Sequence, residues 1–219
     1  MADPLDALGA LGDPTRRAAY DYVSAQGRPV GRDEAAGALG IGRTLAAYHL
    51  DRLADAGLLS VAYARRSGRS GPGAGRPAKL YERAEREVAM SVPPRDYGLA
   101  AQLLAEAAAA DRRGATRRAL REAAQSLGGR IAATAPAPAD LDRLLRERGY
   151  EPYEAEPGVL RLRNCPFHAV AQAHPEVVCD MNLSLLGALL AGLGADREAV
   201  LEPAPGRCCV AIRDASTGE

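Results

Sequence analysis

The sequence predicts a mainly α chain with α+β parts, laid out in three zones. Residues 1–84 form an N-terminal domain of helices closed by a hairpin, residues 85–135 a helical region, and residues 136–219 a small α+β domain. Three observations lead there. Helix-start signals and apolar residues at helical spacing recur over the first 56 residues. The stretch 85–135 is rich in Ala and broken by few turn residues. Beyond the Ala-Pro run at 134–139, which has the composition of a linker, short β-like runs alternate with turns. With 219 residues, 47% of them hydrophobic, the chain can bury a core.

In the first zone Leu5, Leu8 and Leu11 suggest a short apolar-faced helix. Asp13-Pro14-Thr15 is a strong helix start, with Asp13 as N-cap and Pro14 at the first helical position, and this helix runs to about Gln26. A second short helix spans Arg32 to Leu39 after the Gly27-Arg28-Pro29 break. Gly40-Ile41-Gly42 is a tight turn. A longer helix covers Arg43 to about Ala56, with Ala46, Leu50 and Leu53 on its buried side, and Gly57 stops it. Leu58 to Tyr63 and Ala78 to Glu82 read as strands. Between them Arg65 to Pro77 holds too much Gly, Pro and Ser for regular structure.

In the second zone Pro93-Pro94 and an N-cap at Asp96 open a helix faced by Leu99, Leu103 and Ala107. A second helix is faced by Leu120, Ala124, Leu127 and Ile131. Neither stripe is wide, so these helices are expected to pack against a partner as a dimerisation region. In the third zone Asp140 caps a helix carrying Leu141, Leu144 and Leu145. Tyr150 to Ala155 and Val159 to Arg163 form a hairpin around Glu156-Pro157-Gly158. Cys165-Pro166 opens a short helix, and His174-Pro175 a longer one faced by Val178, Met181, Leu185 and Leu189. Ala199 to Glu202 and Cys208 to Arg213 are closing strands.

Charge is balanced, with 28 basic and 28 acidic residues, so only local charge can mark a polyanionic partner. Lys79 is the one lysine; every other basic residue is Arg, as GC-rich coding favours. No window approaches 18 unbroken apolar residues, so no transmembrane helix and no membrane partner are expected. The first residues lack a basic region followed by an apolar one, so a cytoplasmic location is expected and the four cysteines are expected reduced.

The order helix, helix, turn, helix, hairpin has a mechanical meaning. One helix braces the next so that its exposed face enters the major groove of DNA, and the hairpin tip lies on the backbone. Residues 65–83 carry six basic side chains, Arg65, Arg66, Arg69, Arg76, Lys79 and Arg83, against Glu82 alone, which suits phosphate contacts. On the helix from Arg43, removing the buried stripe leaves Arg43, Thr44, Ala47, Tyr48 and Arg52 outward. Arg pairs bidentately with guanine, and Thr bonds a base edge or touches a thymine methyl. Tyr48 adds a phosphate contact or stacking. His49 reads as covering the helix interface.

The run IGRTLAAYHLDRLADAGLL followed by GRPAKLYE resembles the winged helix-turn-helix of ArsR-like bacterial transcriptional regulators. The resemblance covers about the first 85 residues. It implies a homodimer that binds an inverted-repeat operator in double-stranded DNA. The metal sites that small members of that family carry on the winged domain do not transfer, because no Cys lies there.

All four cysteines lie in the last quarter of the chain: Cys165, then Cys179 after thirteen residues, then Cys208 and Cys209 after twenty-eight. This arrangement resembles the C-terminal region of the SufR-like iron–sulfur-assembly repressors, which join an ArsR-like winged domain to a cysteine-bearing sensor. The resemblance implies an iron–sulfur cluster on Cys165, Cys179 and Cys208, with Cys209 extra or in place of Cys208. Cys165 as an N-cap before Pro166 would have a lowered thiol pKa. Cys208 and Cys209, as strand neighbours, would point to opposite faces, so that one of them ligates. His168, His174 or solvent is open as a fourth ligand, and His168, three residues after Cys165, is the better placed. Zinc on Cys165, His168, Cys179 and Cys208 is the rival, although no short C-x2-C pair supports it. Buried thiols without a ligand are a third reading. Two other classes remain: a regulator sensing a small organic effector, and an enzyme using Cys165 with His168 or His174. For the second, no G-x-S-x-G, phosphate loop or H-E-x-x-H motif is present, so no enzyme is expected.

Overall fold

The computed structural model describes residues 4–64, 77–89, 97–204 and 206–215. Nine helices and two small antiparallel sheets appear among them, and the chain divides into two compact units, Met1–Arg95 and Asp96–Glu219.

The first unit runs α1 (Pro4–Ala10), α2 (Pro14–Gln26), β1 (Val30–Gly31), α3 (Arg32–Leu39), α4 (Arg43–Asp55), β2 (Leu59–Ala64) and β3 (Ala78–Arg83). Its helix ends follow from local chemistry. Asp13 caps α2, its Oδ1 accepting the Arg16 N–H at 2.9 Å, with Pro14 next in line. Gly40, at φ 64°, takes the left-handed turn that ends α3, and the Ile41 N–H returns to the Ala36 carbonyl at 3.1 Å. That turn swings α4 across α3. The strands form a sheet ordered β1-β3-β2, with Val61 opposite Tyr81. Val23, Val30, Leu50, Leu53, Leu59 and Tyr81 make the core, each fully buried Leu or Val contributing about 1.5–3 kcal/mol. The segment 65–76, and with it Arg65, Arg66, Arg69 and Arg76, lies outside the described residues, as does the cap expected at Asp96.

The second unit runs α5 (Tyr97–Ala110), α6 (Ala115–Ala133), α7 (Leu141–Arg146), β4 (Pro152–Glu156), β5 (Val159–Leu162), α8 (His168–Ala173), α9 (Pro175–Leu193), β6 (Arg197–Leu201) and β7 (Val210–Asp214). The sheet order is β4-β5-β7-β6, antiparallel throughout. Leu145, Tyr150, Leu162, Leu186, Leu189, Leu190, Val210 and Ile212 fill its core.

Three expectations change here. The helical zone 85–135 is not a unit of its own, because α5 and α6 fold with the α+β module. The expected stripe of α5 is not its buried face, since Leu99 and Leu103 are exposed while Ala105 and Ala108 are buried; on α6 Ala124 is buried as expected and Leu120 and Ile131 are half-buried, but Leu127 is exposed and Gly128 and Ala132 are buried. The reason is a close helix crossing. A Cβ at Gly128 would collide with the Leu185 carbonyl and lie 2.9 Å from the Leu189 nitrogen, and one at Gly192 would lie 2.6 Å from the Ala132 Cβ. Small residues let α6 and α9 touch along their backbones, so α6 finds its partner within the chain. The third change is α9 itself, which is long and apolar enough, by length and composition, to cross a membrane. Asp180 and Asn182 break its apolar run, and Val177, Val178, Leu185, Leu186, Leu189 and Leu190 are buried in the unit.

Candidate functional site

Three separate segments bring the cysteines together. Cys165 sits in the turn after β5, where the His168 N–H donates to its carbonyl at 3.0 Å; next to it, Asn164 Nδ2 donates to the Gly149 carbonyl at 2.6 Å. Cys179 lies in the second turn of α9. Cys208 and Cys209 precede β7, and their backbones are tied on both sides. The Cys208 N–H donates to Leu162 at 2.9 Å, and the Cys209 carbonyl accepts from Glu202 at 2.7 Å. Cys165 and Cys208 are buried, and Cys179 and Cys209 partly so; all four are free thiols.

Cys165 and Cys208 belong to the buried core of the second unit, and Cys209 packs against it. Hydrogen bonds from Cys165 and Cys209 hold the Cys208 thiol well below its ordinary range despite burial, helped by the Val210 N–H and the Asn182 amide. The same bonds, with burial, push Cys165 and Cys209 up.

A second polar layer supports Cys208. Asn182, fully buried on α9, donates from Nδ2 to the Cys208 Sγ at 3.3 Å and accepts the Tyr150 hydroxyl at Oδ1 at 2.5 Å. Burial raises the Tyr150 pKa, and the nearby Cys208 adds to it, so the phenol stays a donor. Neither residue was singled out from sequence. The available signal was spacing, since Asn182 follows Cys179 by three residues and shares its helix face.

Several site expectations are corrected. Cys165 is not the N-cap of α8; Phe167 holds that position, and the thiol is raised rather than lowered. Cys208 and Cys209 precede β7 rather than lying within it, with Cys208 buried and Cys209 half-buried. His168 opens α8 with its side chain exposed, and His174 ends that helix half-buried. By chemistry, four soft thiols suit either an iron–sulfur cluster or zinc. Among the described residues, no three His, Cys, Asp or Glu side chains are already gathered around a single ion-sized point.

In the first unit α4 buries Ala46, His49, Leu50 and Leu53. Arg43, Thr44, Tyr48 and Arg52 are exposed on the other side, with Ala47 half-exposed among them. His49 covers the helix interface as expected, with the Tyr48 ring edge-on to it at 5.4 Å. Two of the basic residues are engaged within the unit. Arg43 Nε pairs with Asp33 Oδ1 at 2.6 Å, linking α4 to α3. Lys79 pairs with Asp51 and lies 5.2 Å from the centre of the Tyr81 ring, so its charge is offset on the protein itself. Asp51 also accepts the Tyr81 hydroxyl at 2.7 Å, fastening α4 to β3. Asp51 was not singled out from sequence, although it falls on the outward face one turn after Ala47 and Tyr48 and is acidic among basic neighbours. No protein-family model, curated protein or solved structure matches this chain.

Proposed function

We propose that the chain is a DNA-binding transcriptional regulator, a cytoplasmic homodimer, whose first unit is a winged helix-turn-helix and whose operator binding is controlled by an iron–sulfur cluster on its C-terminal cysteines. The observation that carries the reading is the pairing, in one chain, of a braced helix presenting Arg43, Thr44, Ala47, Tyr48 and Arg52 with a core that holds Cys165, Cys208 and Cys209 together.

In this reading α4 enters the major groove by its first turn. Arg43 exchanges its pair with Asp33 for a guanine edge, and Thr44 contacts a neighbouring base. Arg52 and Tyr48 meet phosphates on the flank, and Arg65, Arg66, Arg69 and Arg76 neutralise backbone charge from the hairpin. Asp51, Lys79 and Tyr81 position α4 against that hairpin. Cys165, Cys179 and Cys208 would hold the cluster, with Asn182 donating to Cys208. When bound, such a cluster ties three segments of the second unit by bonds that oxidants break.

The test is anaerobic purification with iron and acid-labile sulfide assays, followed by selection of binding sites from random duplex DNA. The expected protein is brown, contains both elements and enriches an inverted repeat. Arg43→Ala is expected to weaken binding to that repeat by about 1–3 kcal/mol and to relax preference at one position. Colourless protein with one zinc per chain would replace the cluster by zinc, and no enriched sequence would remove the DNA-binding role.

A further inference from the structure

The sheet of the second unit has a charged face that uses none of the residues assigned above to the cluster or to DNA. Leu160, Leu162, Val210 and Ile212 turn one face of this sheet to the core, so the alternating residues Tyr153, Arg161, Arg163 and Arg213 stand on the other. We propose that Tyr153 and Arg163, with Arg207 beside them, form a binding site for the phosphate group of a small phosphomonoester at the β4 corner of that face.

Two guanidiniums meet around one phenol. Tyr153 is paired with Arg161 across β4 and β5. Arg163, two residues on, lies diagonal to it, with its guanidinium 3.9 Å from the centre of the Tyr153 ring. Arg207 comes from the turn before β7, and its Nη1 donates to the Tyr153 hydroxyl at 3.5 Å, a long bond that a charged acceptor would replace. Backbone bonds hold the three residues in place. The Arg163 N–H donates to the Glu151 carbonyl at 2.9 Å, and the Cys208 N–H to the Leu162 carbonyl at 2.9 Å, which sets residue 207 beside residue 163.

The chemical class of the ligand follows from the charges. Arg161 and Arg213 share the carboxylate of Glu202, so that part of the face is largely offset on the protein itself. Arg163 and Arg207 instead contact a neutral ring and a neutral hydroxyl. Planar guanidinium forks match the oxygens of a phosphate, and a phosphomonoester at neutral pH brings about −1.5 to −2 charges, against a single charge on a DNA phosphodiester. Once Arg207 turns to the ligand, the Tyr153 hydroxyl is a further donor. Arg207 is exposed and Tyr153 and Arg163 half-buried, so the rest of the ligand reaches into solvent. Glu151, opposite Arg163, belongs to the same corner; its charge opposes the ligand, and Glu151→Gln is expected to tighten binding.

The test is isothermal titration calorimetry of the full-length protein with inorganic phosphate and with glycerol 3-phosphate, at neutral pH and fixed ionic strength. Both probes are expected to bind saturably, at one site per chain. Arg163→Gln and Arg207→Gln are each expected to weaken binding by about tenfold, as loss of one charge-assisted pairing requires. Arg197→Gln is the charge control, because Arg197 pairs with Asp214 at 3.2 Å on β6, at the opposite edge of the sheet, and it is expected to bind as wild type does. Wild type that binds neither probe saturably overturns the proposal, as does unchanged binding in both Arg163→Gln and Arg207→Gln. An equal loss in Arg197→Gln also overturns it, since the attraction would then be general. A duplex DNA fragment is titrated in parallel. If Arg163→Gln and Arg207→Gln weaken DNA binding while neither probe binds wild type, the corner belongs to the DNA backbone and the small ligand is ruled out. Far-UV circular dichroism of each variant checks that the fold is retained.

Discussion

Asp51 and Asn182 each join two elements through one small polar side chain. Partial burial pushes the Asp51 carboxyl up, but Lys79 and Tyr81 donate to it, and the balance lies below the ordinary 3.8. A carboxyl depressed in the folded state stabilises above its unfolded pKa, and that contribution is lost as pH falls through the folded value. Asp51→Asn is therefore expected to lower stability by about 1 kcal/mol at neutral pH. Denaturant titrations should show the gap to wild type closing as the pH drops below 3.8; a gap independent of pH would break the link. At Asn182, replacement by Leu leaves the buried Tyr150 hydroxyl without its acceptor, an expected loss of about 1–3 kcal/mol. Tyr150→Phe combined with Asn182→Leu should lose less than the two single changes together, with a coupling of about 0.5–3 kcal/mol in unfolding measurements. Strict additivity would mean that the two side chains do not act as a pair.

The α6–α9 crossing is the element on which the second unit turns. Its closeness depends on glycine at two places and alanine at a third. Gly128 and Gly129 are neighbours on α6 with opposite surroundings. A Cβ at Gly128 meets the α9 backbone, whereas one at Gly129 meets nothing within 4 Å. Gly128→Ala is expected to destabilise by about 1–3 kcal/mol through overpacking. Gly129→Ala should be neutral or stabilise by up to about 1 kcal/mol through helix propensity. Thermal unfolding of the two variants checks this, and equal shifts would show that the helices are not in backbone contact. Cys179 and Asn182 ride on α9, so any movement at the thiols is felt first along this crossing. The salt bridge from Arg121 to Asp180, at 2.8 Å, pins the same turn of α9 to α6.

For the whole molecule, zero net charge hides a local division. The α4 face and the segment after β2 are rich in Arg, while the opposing carboxylates Asp33, Glu34 and Asp51 are mostly committed to ion pairs within the first unit. In the proposed reading, DNA binding should therefore be strongly salt-dependent although the protein is neutral. Arg65→Ala with Arg66→Ala is expected to reduce the slope of log K against log salt by about 2, each lost phosphate contact removing about 0.9. Fluorescence anisotropy over a salt series measures this, and an unchanged slope would take residues 65 and 66 off the DNA.

Because their ends are written in short-range chemistry, the sequence by itself determined most of the secondary-structure elements, though not β1 or the start of α8. Asp13-Pro14, Gly40 and Asp140 act through bonds and dihedrals reached within a few residues, and the helices they bound lie where spacing put them. It also determined which face of α4 is outward, since Leu50 and Leu53 leave no choice about the inward one. Only the tertiary structure decided which helices pair and which side chains complete the sites. Apolar spacing favoured the leucines of α5 and α6, but close approach of two helices rewards the residues with least side chain, and Ala124, Gly128 and Ala132, though spaced by four, do not stand out in a chain so rich in Ala and Gly. The partners of Asp51 lie 28 and 30 residues away, and Asn182 meets Tyr150 and Cys208 at separations of 32 and 26. Contacts of that range depend on how strands and helices stack, and the local pattern of the chain does not encode them.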